Sequence, residues 1–135
     1  MSISNPYAQY QSNQVSMASP ERLLLMAYDG AIRFARVGLE KLREGVLDEK
    51  SFGFGRAQSI IAELLAGLNP EHDPELASNL ARLYEYMFNR LSTANLHDDE
   101  RAAAEVIGML VELRESWAQA AESLRGGGQP AGALR

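Results

Sequence analysis

Apolar and small residues recur at alternating steps of three and four in four stretches of the chain, the period of an amphipathic α-helix. In the first stretch Leu24, Tyr28, Ala31, Ala35, Leu39 and Leu42 share one face behind Ser19-Pro20-Glu21. That start combines a serine N-cap, a proline at the first helical position and a glutamate at the positive end of the helix dipole. Gly45 is its expected stop. The second stretch begins near Asp48 and carries Ala57, Ile60, Ile61, Leu64, Leu65 and Leu68. Gly53 and Gly55 each cost about 1 kcal/mol relative to alanine in a helix, so its first turns are expected to fray. Asn69-Pro70 ends it. The third repeats the proline start as Asp73-Pro74-Glu75. Its stripe is Leu76, Leu80, Leu83, Met87 and Leu91, widened by Tyr84 and Phe88, with an end around Ala94-Asn95. The fourth follows Asp98, aligns Val106, Ile107, Leu110, Leu113, Trp117, Ala121 and Leu124, and is expected to stop at Gly126.

Short connections between long helices place successive helices antiparallel. No alternating run is long enough for a strand. The expected fold is all-α, an antiparallel up-down four-helix bundle over residues 19–125. A flexible N-terminal segment, 1–18, and a disordered Gly/Pro tail, 126–135, flank it.

Composition narrows what such a bundle does. The 135 residues have a net charge of −5, 46% apolar content and no cysteine. The acidic balance supplies no basic face for nucleic acid. Lacking cysteine, the chain has no disulfides, thiolate chemistry or Cys-based zinc sites, and is compatible with a reducing cytoplasm. No apolar run spans a bilayer, no basic amphipathic helix suits a membrane surface, and the N-terminus lacks the charge and apolar core of a signal peptide. His72 and His97 are both expected in loops, away from the inward-facing Glu-x-x-His pairs of bundle metal sites. His97-Asp98-Asp99-Glu100 reads as a turn followed by an acidic helix start. No residue is assigned as catalytic, cofactor-binding or metal-binding.

Three features remain. Asp29 lies in an otherwise apolar stretch, with Arg33 four residues on as its expected partner, and Gly30 marks close packing. Met26, Phe34 and Val37 in the first helix, Tyr86 in the third and Met109 in the fourth lie off the core stripes. Together they predict a groove for an amphipathic segment. Ile3, Tyr7 and Tyr10 fall on one face if the N-terminal segment becomes helical, which predicts a segment that folds back and caps that groove.

These residues also carry a family resemblance. Asn13-Gln14-Val15, Ala18-Ser19-Pro20-Glu21 and Leu25-Met26-Ala27-Tyr28-Asp29-Gly30-Ala31-Ile32-Arg33-Phe34 resemble the flagellar export chaperones of the FliS type. So do Asn79-Leu80, Leu83-Tyr84, Tyr86-Met87, Arg90-Leu91, Ala94-Asn95 and the run from Leu110 to Trp117. The resemblance covers roughly residues 5 to 121 and departs at the glycine-bearing start of the second helix and in the tail. It implies a cytosolic, cofactor-free bundle that holds the disordered C-terminal segment of flagellin. It also implies that the bundle blocks premature polymerisation and assists delivery to the flagellar type III export apparatus. The N-terminal segment would cover part of the apolar surface and move when client binds. An export-gate component and a flagellar regulator are further partners to test, and the expected state is a monomer or weak homodimer. The rival from the same apolar surplus is a generic helical adaptor dimerising through its second apolar face. A metal-dependent hydrolase using His72 and His97 is the remaining enzymatic alternative.

Overall fold

The structure, a computed structural model, describes residues 19–127. It contains four helices: α1 Pro20–Glu44, α2 Leu47–Ala66, α3 Pro74–His97 and α4 Glu100–Gly127. They form a ring in which α1 packs on α2 and α4, and α3 packs on α2 and α4. Among the described residues there is no strand.

Local chemistry sets most of the helix ends. The Ser19 hydroxyl accepts from the Arg22 amide at 3.1 Å, and the Asp73 carboxylate accepts from the Leu76 amide at 3.1 Å. Gly45 closes α1 at φ +79°; its own amide donates to the Leu42 carbonyl and that of Val46 to the Lys41 carbonyl. Asp98 closes α3 at φ +51°, a conformation that aspartate tolerates better than most side chains. Two boundaries differ from expectation. His97 is the last residue of α3 rather than a loop residue, and α4 continues through Gly126 to Gly127. A cationic or polar end residue suits the negative end of a helix, and one residue of helical overrun is within normal fraying.

The larger difference concerns α2, which does not fray at its glycines. A Cβ on Gly53 would lie 2.6 Å from the Gly38 nitrogen and 2.8 Å from the Phe34 carbonyl oxygen. A Cβ on Gly38 would lie 2.4 Å from the Phe54 ring. Gly38 and Gly53 therefore let two helix backbones touch, which offsets their poor intrinsic propensity. Val46, at the N-cap of α2, makes no side-chain cap, so the start of this helix depends on its neighbours. Gly30 works more mildly: a Cβ there would meet Ile60 Cδ1 at 3.2 Å.

Tyr28, Phe54, Ile61, Tyr84, Met87, Leu91, Val106 and Leu110 are the largest fully buried side chains. The two tyrosines carry polar groups into this core and satisfy each other. Their hydroxyls are 2.6 Å apart, and Trp117 donates its indole N–H to the Tyr28 oxygen at 3.1 Å. Since α1 and α3 stand across the ring, this network ties the diagonal of the bundle as well as α4. Two ion pairs repeat the antiparallel register of α1 and α4: Arg114 to Asp29 and Arg43 to Glu100, each at 2.9 Å. Asp29 thus pairs across helices instead of with Arg33. The stripe of α3 is also narrower than its spacing predicts. Tyr84 is buried, but Leu83 and Phe88 reach the rim, and Ala77 and Ala94 fill the core.

The two α2 glycines separate intrinsic propensity from packing. Gly53→Ala is expected to destabilise the bundle by about 2 kcal/mol, because backbone must move to admit the methyl. Gly55 has open space around its α-carbon, so Gly55→Ala is expected to stabilise by up to about 1 kcal/mol. Urea denaturation of both variants checks this; equal effects of the same sign would contradict the backbone contact.

Candidate functional site

The touching backbones of α1 and α2 leave no room for large side chains between them at that level. Phe34 and Phe52 stand at the rim of this seam, ring centres 6.0 Å apart and nearly perpendicular. Phe34 is half-buried and Phe52 is 56% exposed. Two guanidiniums cover the Phe34 ring, that of Arg33 at 4.9 Å and that of Arg56 at 5.0 Å from its centre. Arg56 also lies 5.8 Å from the Phe52 ring centre. Such stacks are favourable by about 0.5–1 kcal/mol at exposed sites. Met26, 50% exposed, lies on the outer surface of α1, and half-buried Val37 lines a groove of about 500 Å³ between α1 and α4 with Ile32, Arg36, Val111 and Glu115. Sequence spacing identified Met26, Phe34 and Val37 but not Phe52, whose solvent exposure follows from the glycine contact beside it.

Tyr86 and Met109 lie elsewhere. Met109 lines a shallow groove of about 220 Å³ between α3 and α4 with Leu83, Glu112, Leu113 and Ser116. Tyr86, 43% exposed, donates its hydroxyl to Glu105 Oε2 at 2.6 Å, and Arg90 donates to Glu105 Oε1 at 2.8 Å. In the ring order of the helices, the α1/α2 and α3/α4 seams are on opposite sides. The structure therefore spreads the five predicted groove residues around the bundle instead of gathering them in one groove: Phe34 at the α1/α2 seam, Val37 at α1/α4, Tyr86 and Met109 at α3/α4, and Met26 on the outer face of α1. A further apolar surface was not read from the sequence. Ile61, Ala62, Leu65, Tyr84 and Phe88 line a groove of about 280 Å³ between α2 and α3. Phe88 shares its spacing with core positions, so only packing reveals that it lies at the surface. Ile3, Tyr7 and Tyr10 lie outside the described residues.

The polar residues at the α3–α4 turn hold structure in place. Lys50 on α2, only 6% exposed, donates to the Asn95 carbonyl and to Asp98 Oδ1, both at 2.8 Å. Ser51 donates to the Asn95 side chain at 3.1 Å. Asp99 accepts from the Ala102 amide at 3.1 Å, and Glu100 accepts from Arg43. Every acid in the His97–Glu100 run thus has a cap or an ion pair as its role. Among the described residues no three His, Cys, Asp or Glu side chains gather as a metal site, and no helix is long and apolar enough to cross a membrane.

What this geometry offers is apolar surface along the helix seams around a core whose buried side-chain polar atoms all have partners among the described residues. Comparison with known proteins agrees in kind. The family model described as flagellar protein FliS matches residues 3–124. The chain is 38% identical to a flagellar secretion chaperone FliS of Bacillus subtilis, over 93% of this chain and 92% of the relative. It is 41% identical to one of Salmonella typhimurium, over 84% and 85% of the two chains. It is also 36% identical to the flagellar secretion chaperone FliSB of Pseudomonas aeruginosa, over 77% and 82%.

The Tyr86–Glu105–Arg90 cluster makes the α3/α4 strip pH-sensitive at both extremes. The hydrogen bond from Tyr86, then that from Arg90, holds the Glu105 carboxyl below the usual carboxylate range. The same bond raises the Tyr86 hydroxyl above the usual phenol range. A lowered carboxylate contributes stability above its unfolded pKa and loses it as pH falls through the folded value. A raised phenol contributes below its unfolded pKa and loses it as pH rises through the folded value. The melting-temperature difference between the native chain and Glu105→Gln is therefore expected to be present at neutral pH and to shrink at both acid and alkaline extremes. A difference independent of pH would show that ionisation of the cluster contributes nothing to stability.

Proposed function

Since the chain belongs to the FliS family of flagellar proteins, we propose that it acts in the cytosol as a flagellin chaperone. It binds the disordered C-terminal segment of flagellin, keeps it from polymerising early and assists its delivery to the flagellar type III export apparatus. The observation that carries this reading is the apolar surface left exposed around the core: Met26, Phe52 and Tyr86, with half-buried Phe34, Val37 and Met109 at the rims of the helix seams. Ordering a disordered segment costs conformational entropy, which buried apolar area offsets at roughly 25 cal/mol per Å². Strips on opposite seams suit an extended client that reaches around the bundle, more than a single short helix in one groove.

Holding and release also fit a reversible, bond-conserving device that needs no cofactor, metal or nucleotide. The N-terminal segment, through Ile3, Tyr7 and Tyr10, competes for the client surface and lowers apparent affinity by the fraction of time it occupies it. An export-gate component and a flagellar regulator are further partners in this scheme. The rival, an adaptor that dimerises through the same exposed residues, differs in stoichiometry. Sedimentation distinguishes a monomer that forms a one-to-one complex with flagellin from an obligate dimer.

Co-purification tests the central claim. Full-length flagellin is expected to be retained and flagellin lacking its C-terminal segment to be lost; retention of both rejects the reading. Glutamate at Met26, Phe34, Val37, Tyr86 or Met109 is expected to weaken flagellin binding without unfolding the bundle. Tyr10→Ala is expected to change flagellin affinity while leaving the melting temperature close to that of the native chain. Leu110→Ala, which empties a fully buried position, is expected to cost about 2–5 kcal/mol. A melting loss for Tyr10→Ala as large as that for Leu110→Ala would make the segment structural.

A further inference from the structure

The α1/α2 rim carries more than apolar surface. Five cations among the described residues are matched with the chain's own acids: Lys41 with Glu44 and Glu49, Arg43 with Glu100, Lys50 with Asp98, Arg90 with Glu105, Arg114 with Asp29. Arg22, Arg33, Arg36, Arg56, Arg82 and Arg101 have no such pair among the described residues, and of these Arg33 and Arg56 stack on an aromatic ring. Among the described residues neither has a carboxylate within salt-bridge distance, although the chain has 18 acids against 13 bases. Instead the two guanidiniums, one from each helix, lie over the ring of Phe34. A guanidinium stacked on an aromatic face is held by the ring and keeps in-plane N–H donors for a carboxylate, and the stack reduces the rotamer freedom that a new ion pair must remove. Beside them stands the exposed ring of Phe52.

From this juxtaposition of two arginines stacked on half-buried Phe34, neither paired with a carboxylate among the described residues, with the exposed ring of Phe52, we infer that the α1/α2 rim is the acid-selective part of the docking surface. It takes an amphipathic helical segment of a partner protein that presents an apolar residue to Phe52 and flanking carboxylates to Arg33 and Arg56. The inference rests on the client-binding reading above and adds the chemistry that one face of the client must show. Charge complementarity of this kind chooses among partners with similar apolar faces more than it raises affinity overall. A long polyanion is a poorer match. The chain is net acidic, and Glu49, one turn before Phe52, stays on this seam in its pair with Lys41.

Fluorescence anisotropy with two synthetic peptides tests the inference. Both are 20-residue amphipathic helices with the same leucines, one flanked by glutamates and the other by lysines. Full-length flagellin is titrated in parallel. The glutamate peptide is expected to bind about tenfold more tightly than the lysine peptide at low salt, with the difference shrinking as salt rises. Arg33→Glu combined with Arg56→Glu is expected to reverse the preference with an unchanged helical circular dichroism signal, whereas Arg101→Glu on α4 leaves it as it was. Equal binding of the two peptides, or a preference that survives the double substitution, overturns the inference. If flagellin binds and neither peptide does, the inference falls and the client reading stands. If flagellin fails to bind while the peptide preference reverses as expected, the client reading falls and the rim is an acid-selective site for another protein. A single-stranded oligonucleotide of the same charge that displaces the glutamate peptide equally well would overturn the inference in favour of general polyanion binding.

Discussion

The backbone contact between α1 and α2 is the constraint from which most of the surface follows. Helices normally stand apart by the thickness of their side chains. At Gly38 and Gly53 that thickness is missing, and the main chain of one helix rests on the main chain of the other. The contact gains close van der Waals packing and costs helix propensity at both positions. It also dictates where the neighbouring aromatics go. Phe54 turns inward and lies against Gly38, while Phe34 and Phe52 turn outward to the rim. An exposed Phe52 beside a half-buried Phe34 is thus a geometric consequence of a tight seam, and the arginines stack on the ring that this geometry presents.

The opposite requirement operates at the centre. Hydroxyl and indole groups placed in a helical core must be paired there, because an unpaired buried polar group costs about 1–3 kcal/mol. Tyr28, Tyr84 and Trp117 meet that requirement with one another. Their hydrogen bonds have directional geometry that apolar contacts lack, so they fix the relative height of α1, α3 and α4. Lys50 performs a similar service at the end of the bundle, where its ammonium gathers the carbonyl of Asn95 and the carboxylate of Asp98. Among the described residues every buried side-chain polar atom of the core has a partner, while Met26, Phe52 and Tyr86 stay exposed outside it.

Much of this was legible before any coordinates. The alternating steps of three and four identified four helices, and the Ser19-Pro20 and Asp73-Pro74 starts placed two of their ends, because capping is a local interaction between residues a few positions apart. Met26 and Tyr86 were recognisable as surplus because they break the stripe of their own helix. The fraying expected at Gly53, the Asp29–Arg33 pair and the loop position of His97 did not hold. Each of those readings used only near neighbours in the chain, while the deciding partners, Gly38, Arg114 and the α3 turn, belong to other helices or to the end of a longer one.

What the sequence determined by itself is the all-α class, the antiparallel order and the family, all of which reside in periodicity, capping and local motif. What only the tertiary structure decided is which residues at similar spacing meet water. Tyr84 and Phe88 lie one helical turn apart on α3 and border the same groove, yet one is buried and hydrogen-bonded and the other is exposed. Phe52 and Phe54 are separated by a single residue and point to opposite sides of the seam. The physical reason is that periodicity defines the direction of a side chain from its own helix axis. Exposure depends instead on how far away the next helix stands, and here that distance is set by two glycines on different helices.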